Sequence, residues 1–142
     1  VEMNLVPFLQ GICKKYDIKI VSESEEFLAC INPSLFVQAI NNLIENALKY
    51  GGKKSEIECV LGNDKSIAIQ DKGPGIPPET RDRIFERFYR IDKGRSRATG
   101  GTGLGLSIVR HIITLHGFSI KETGRLDGKS GCRFVIYLDN PS

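Results

Sequence analysis

The stretch "NPSLFVQAINNLIENALKYGG", residues 32–52, is the longest helix signal in the chain. Asn32 is the N-cap residue, Pro33 takes the first helical position, and the Gly51-Gly52 pair stops the helix. Projected at about 100° per residue, Phe36, Ala39, Ile40, Leu43, Ile44, Ala47 and Leu48 form one broad apolar face. Gln38, Asn42, Glu45, Asn46 and Lys49 gather on the other side. Most amphipathic helices simply wet such a stripe. Two asparagines four apart argue for more, because asparagine is a poor helix former and prefers caps and turns. Asn46 can offer a neutral oxygen to a hard cation such as Mg²⁺, with Lys49 one turn on to meet anionic oxygens. Both readings stand at this point.

Outward from that helix the elements are mixed. "LVPFLQGICKKY" (5–16) reads as a first helix, and "IKIVS" (18–22) and "FLACI" (27–31) as strands joined by the acidic turn "ESEE". "SEIECVLG" and "KSIAIQD" form a hairpin-like pair around the turn Gly62-Asn63-Asp64. The loop "KGPGIPPE" leads into a short helix ending at Phe85, then a basic loop, then a helix from Leu104 to His116. Strands at 118–123 and 132–138 close the chain. Helices and strands do not alternate strictly. The pattern is that of an α+β fold, a two-layer α/β sandwich whose mixed sheet of about five strands is covered on one face by about three helices.

With 142 residues the chain is one domain, residues 1–142, and long enough to bury a core. Its charged and hydrophobic fractions, 26% and 40%, are those of an ordinary globular domain. A net charge of +3 is too mild to argue for nucleic acid. No apolar run approaches the roughly 20 residues of a membrane span. Cys13, Cys30, Cys59 and Cys132 lie far apart with no C-x-x-C pair, so buried free thiols in a reducing, cytoplasmic setting are expected over disulfides or zinc. The start at Val1, without an initiator Met, leads us to expect a piece of a longer chain.

Two glycine-rich motifs carry chemistry. "IAIQDKGPGIPP" (67–78) sets Asp71 at a strand end, followed by Gly73 and Gly75. A tight turn would need such glycines, and so would a carboxylate that accepts a hydrogen bond from a ligand N–H. "GGTGLGLSIV" (100–109) crowds glycines against a helix start, where backbone N–H groups and the dipole make an anion site.

Taken together, four motifs spanning residues 35–109 resemble those of the ATP-binding catalytic domain of sensor histidine kinases. That family belongs to the wider superfamily of gyrase-type and chaperone ATPases. "NLIENALKY" resembles the N box, "DKGPGI" the first glycine box, "FERFYR" the F box and "GGTGLGL" the second glycine box, in the family's order.

The resemblance implies ATP and Mg²⁺ as cofactors. It makes Asn46 the Mg²⁺ ligand with Asn42 nearby, Lys49 a phosphate contact and Tyr50 a wall against the adenine. It makes Asp71 the acceptor of the adenine amino group, flanked by Gly73, Gly75 and Ile76. Arg90, which ends the F box, would face the γ-phosphate. Gly101, Thr102, Gly103 and Gly105 would form a flexible lid and bring backbone N–H groups to the phosphates, with Leu104 and Leu106 anchoring its helix. Hydrolysing relatives are similar in placing a Glu four residues before the metal asparagine. Here Asn42 stands there and cannot take a proton. ATP should therefore hand its γ-phosphoryl group to an outside nucleophile.

His111 and His116 both read as structural, His116 suiting the negative end of its helix. The acceptor histidine, a dimerising helical pair and any sensor or membrane segment are expected upstream, this chain being the cytoplasmic portion of a membrane-bound sensor, with a homodimeric whole protein, a monomeric fragment and a response regulator as indirect partner. Three departures from the family pattern are Lys72 for Asn, Asn32 for Asp and Phe118 for Gly. A serine kinase of the anti-sigma type and a non-catalytic ATP sensor are the rival readings. "FERFYR", similar to a docking surface for histidine-bearing helices, speaks against the first, and Arg90 with the lid against the second. Residues 91–103, rich in charge and glycine, are expected to order only around a triphosphate.

Overall fold

Both N-terminal helices start on an asparagine. The computed structural model describes residues 1–51, 53, 56–86 and 105–138. In it Asn4 caps α1 (Leu5–Tyr16), its Oδ1 accepting from Val6 N–H at 3.1 Å. Asn32 caps α2 (Pro33–Tyr50), accepting from Leu35 N–H at 3.2 Å. α1 ends on Asp17 in the left-handed region (φ 58°), whose N–H reaches the carbonyls of Cys13 and Lys14. α2 ends at Gly51, bonded back to Ala47 O. The expected spans of both helices hold to within a residue or two.

The strands are β1 (Glu2–Asn4), β2 (Lys19–Ser22), β3 (Leu28–Cys30), β4 (Glu58–Gly62), β5 (Ser66–Gln70), β6 (Ser119–Glu122) and β7 (Arg133–Tyr137). A third helix, α3 (Gly105–Leu115), precedes β6. The main sheet has five strands in the order β2-β4-β5-β7-β6, parallel at β2–β4 and antiparallel elsewhere. Its inner face packs Cys59, Leu61, Ile67, Ile69, Phe134 and Ile136 against apolar residues of the three α-helices among the described residues. From α2 these are Phe36, Ala39, Ile40, Leu43, Ile44 and Ala47, buried as their periodicity predicts, while Leu48 of the same face is half-buried at its edge. The two-layer sandwich is thus the observed fold.

Three local expectations are corrected. The strands at 18–22 and 27–31 do not pair with each other. β2 joins β4 in the main sheet, whereas β3 pairs with β1 in a separate antiparallel ribbon. Asn4 explains the switch, since its Oδ1 also accepts from Phe27 N–H at 2.9 Å and draws that segment to the start of α1. The short helix before Phe85 is two 3₁₀ turns, Pro78–Thr80 and Arg83–Phe85. Pro77 and Pro78 remove successive N–H donors, and the bonds that form are Thr80 N–H to Pro77 O and Arg81 N–H to Pro78 O. Of the four free cysteines, Cys13 and Cys59 are buried and Cys132 half-buried, but Cys30 is exposed on the two-stranded ribbon.

His116 is structural for a reason other than the helix dipole. Its Nδ1 lies 2.8 Å from Ile112 O and its Nε2 accepts from Asn32 N–H at 3.0 Å, which requires the neutral Nδ1–H tautomer. The ring stacks on Phe118 and meets Phe36 edge-on, centroids 5.5 Å away in both cases. It joins the end of α3 to the start of α2. Phe118, one of the departures from the family pattern, is thereby used in packing.

Candidate functional site

Asp71 follows the last residue of β5 and is 3% exposed. Its Oδ1 accepts from Gly73 N–H at 2.9 Å and from Cys132 N–H at 3.1 Å. Its own N–H donates to Cys132 O at 3.0 Å, and its carbonyl accepts from Arg125 Nη1 at 3.1 Å. Oδ2 faces Gly51, at the end of α2, so closely that a Cβ there would lie 2.5 Å away. Gly73 packs on the backbone of the same Gly51, where a Cβ would come within 2.7 Å of its Cα. Two glycines therefore let a loop, a helix end and a buried carboxylate meet at one point. Burial pushes the Asp71 carboxyl above the usual range. The N–H groups of Cys132 and Gly73 oppose that rise, Glu122 adds to it, and Arg125 opposes it.

The polar stripe of α2 runs along the helix that ends at this point. Asn42 and Asn46 are half-buried, Lys49 is exposed and Tyr50 is half-buried. At helical rise Asn46 lies about 7.5 Å along the axis from Gly51. Glu45 turns toward α1, where its Oε2 accepts from the Tyr16 hydroxyl at 2.8 Å. Burial and then the Glu45 carboxylate push the Tyr16 hydroxyl up to about 12. Past Asp71, Gly75 has φ +80° and lies against Gly131, and Ile76 packs half-buried on the core. α3 packs along α2, with Gly105 exposed and Leu106 half-buried against the core. Arg90, Gly101, Thr102, Gly103 and Leu104 lie outside the described residues, as does the 91–103 stretch expected to order around triphosphate.

Among the described residues no three His, Cys, Asp or Glu side chains gather into a metal site. On the polar stripe of α2, Asn42 and Asn46, both half-buried, carry amide oxygens of the kind a cation takes. They suit Mg²⁺, which keeps several waters and takes its remaining oxygens from phosphates. Asn46 would hold the ion, and the ion would supply charge neutralisation along a polyphosphate.

Sequence reasoning missed the brace behind Asp71. The loop between β6 and β7 carries Arg125, Asp127, Ser130, Gly131 and Cys132. Ser130 Oγ donates to Gly73 O at 2.6 Å, and Gly131 (φ +145°) lies so close to the Asp71 carbonyl that any side chain there would collide with it. At the foot of the loop Glu122 is a second buried carboxylate. Its Oε1 accepts from Arg81 Nε at 2.7 Å, and its Oε2 from Gly124 N–H at 2.8 Å and Arg133 N–H at 3.0 Å. Gly51 was legible only as a helix stop. A cleft of about 250 Å³ opens between this loop and residues 74–76, whereas a larger one of about 550 Å³ lies on the outer side of the sheet, near Val60 and Gln70. The smaller cleft takes Gly75 and Ile76 of the first glycine motif into its lining, and Asp71 lines neither cleft.

The chain matches known proteins along most of its length. Residues 31–142 match the family described as histidine kinase-, DNA gyrase B-, and HSP90-like ATPases. The chain is 46% identical over 125 residues, 86% of its length, to the signal transduction histidine-protein kinase ArlS of Staphylococcus aureus, covering 27% of that protein. It is 40% identical over 133 residues, 88% of its length, to the hybrid signal transduction histidine kinase D of Dictyostelium discoideum, covering 8% of it. It therefore spans about a quarter or less of these relatives. Among solved structures, the ATP binding domain of PrrB from Mycobacterium tuberculosis superposes with a TM-score of 0.69 at 26% identity. That match covers 100% of this chain and 98% of the other.

Proposed function

Because the chain belongs to the histidine kinase-, DNA gyrase B-, and HSP90-like ATPase family, we propose that it binds Mg-ATP and passes the γ-phosphoryl group to a histidine on a separate dimerisation domain. It acts as the catalytic domain of a cytoplasmic histidine kinase module in two-component signalling. The whole protein works as a homodimer and reaches its response regulator through the phosphorylated histidine.

The observation that carries this reading is Asp71, a buried carboxylate with Oδ1 committed to two backbone N–H groups and Oδ2 without a hydrogen-bond donor among the described residues, so that it can accept from a ligand. The adenine 6-amino group supplies that donor. Tyr50 and Ile76 wall the base, Asn46 holds Mg²⁺, and Lys49 meets phosphate oxygens. Mg²⁺ held there would supply charge neutralisation along the phosphates. Gly73 and Gly75 shape the base side, and Gly101, Thr102, Gly103, Leu104, Gly105 and Leu106 close over the phosphates. Arg90 stabilises the transferring phosphoryl group.

Two residues favour transfer over hydrolysis. Asn42 cannot act as a base toward water, and the Glu45 carboxylate is taken by Tyr16. ATP titration by calorimetry tests the reading. Asp71→Asn replaces the free acceptor with an amide N–H and should weaken ATP by about 1–3 kcal/mol. Equal affinities in the two proteins would remove the adenine assignment.

A further inference from the structure

The loop between β6 and β7 holds Asp71 at its N–H, its carbonyl and its Oδ1, through Cys132 and Arg125. Such a loop has little rigidity of its own. Gly124, Gly128 and Gly131 all have positive φ, at 70°, 77° and 145°. Side chains supply the missing stiffness. Arg125 grips Asp127 with two prongs, Nε to Oδ1 at 3.2 Å and Nη2 to Oδ2 at 2.8 Å. Lys129 N–H closes the turn on Asp127 Oδ1 at 3.0 Å. The remaining prong of the fork, Nη1, crosses to the Asp71 carbonyl. The Arg125 side chain is 11% exposed, which is unusual for an arginine on a surface loop.

We propose that Arg125 is a positioning residue that sets the Asp71 carboxylate for the adenine 6-amino group, so that the β6–β7 loop contributes to base selectivity. This rests on the ATP reading above. The planar fork is what the task requires, because one group must span a carboxylate and a carbonyl at once. Lysine has three donors, but all sit on one nitrogen and cannot reproduce the two-pronged grip on Asp127 together with the reach to the Asp71 carbonyl. The positive charge of Arg125 also opposes the rise that burial imposes on Asp71, after the larger effects of the Cys132 and Gly73 N–H groups.

The test is a double-mutant cycle on the 142-residue chain, with ATP and ITP as ligands and melting curves as a check on folding. ITP carries a 6-oxo group where ATP carries the amine. Arg125→Ala should weaken ATP about fivefold and shrink the preference for ATP over ITP, and Arg125→Lys should do nearly the same. In the Asp71→Asn background, Arg125→Ala should change ATP affinity by less than about twofold, because the group it positions is gone. If Arg125→Ala does not fold, Arg125→Lys completes the cycle. Effects that multiply in the double variant, an unchanged ATP-to-ITP ratio, or wild-type affinity in Arg125→Lys would each overturn the proposal. A wild-type chain that binds no ATP would overturn the functional reading and this inference together. Loss of ATP in Asp71→Asn with none in either Arg125 variant would overturn the inference alone.

Discussion

Burial raises the Asp71 carboxyl above the usual range, so the folded chain holds that proton more tightly than the unfolded chain does. For an acid, this sign means that its contribution to stability is largest at low pH. The contribution is lost as pH rises from the unfolded value, about 4, through the folded one. Near neutral pH the charge on Asp71 therefore works against folding. Asp71→Asn keeps an oxygen for the N–H groups of Gly73 and Cys132 and removes the charge. The variant should unfold at a higher urea midpoint than wild type at neutral pH, and the gap should close as pH falls toward about 4. A variant less stable than wild type at neutral pH would mean that the carboxylate is there for the fold. Coupled with lost ATP affinity, higher stability would mark a residue kept for its ligand at the expense of the fold. Asp71 and Gly73 were legible because a charge at a strand end followed by glycine is itself a signal. Arg125 was not. Its tie spans 54 residues and ends on a backbone carbonyl, a group every residue carries.

At the scale of elements, the two 3₁₀ turns that follow the first glycine motif are held from both layers. Arg81 bonds Glu122 on β6, Phe85 packs edge-on against Phe134 on β7 at 6.0 Å, and Arg110 of α3 lies 5.5 Å over the Phe85 ring. Glu122 has a side chain 0% exposed, while that of Arg81 is 33% exposed. Removing Arg81 leaves Oε1 buried without its cation, and Oε2 keeps its two N–H donors. Arg81→Ala should therefore cost about 1–3 kcal/mol, less than for a fully buried pair because the arginine is partly solvated. Adding Glu122→Gln should recover part of that loss, since a neutral amide is cheaper to bury unpaired. Denaturant unfolding of the two variants decides it, and a double variant no more stable than Arg81→Ala would show that the charge is not the cause. Element by element, helices were more legible than strands. α1 and α2 declare themselves by caps and long apolar faces. β1 has three residues, too few to show a period, so the partner of β3 could not be read. The two prolines at 77 and 78 were visible, yet their effect on the following turns was masked by the apolar pair Ile84 and Phe85.

The whole molecule poses the question of where a phosphoryl group could go. The chain has two histidines, and both lie on α3 or at its end. His116 has each ring nitrogen engaged, Nε2 with Asn32 N–H and Nδ1 with Ile112 O, and its ring is enclosed between Phe36 and Phe118. Phosphorylating Nε2 would cost α2 a bond at its N-terminus and would force charge into an aromatic cluster. His111 is exposed on α3, nearly two turns beyond Gly105 and about 9 Å along the axis from it, so a nucleotide bound at the start of that helix would lie that far from the residue. The purified chain should therefore bind ATP, show little ATPase activity and take up no label itself. It should label the dimerisation domain of its own full-length protein when that domain is supplied separately. Incubation with γ-labelled ATP, followed by acid and base treatment, distinguishes phosphohistidine from phosphoserine. Acid-labile label on the added domain, lost with Asp71→Asn in the chain, is the expected result. Acid-stable label on a serine would favour the anti-sigma type of kinase. Label on the isolated chain that disappears with His111→Ala would place the acceptor inside this domain and end the transfer reading.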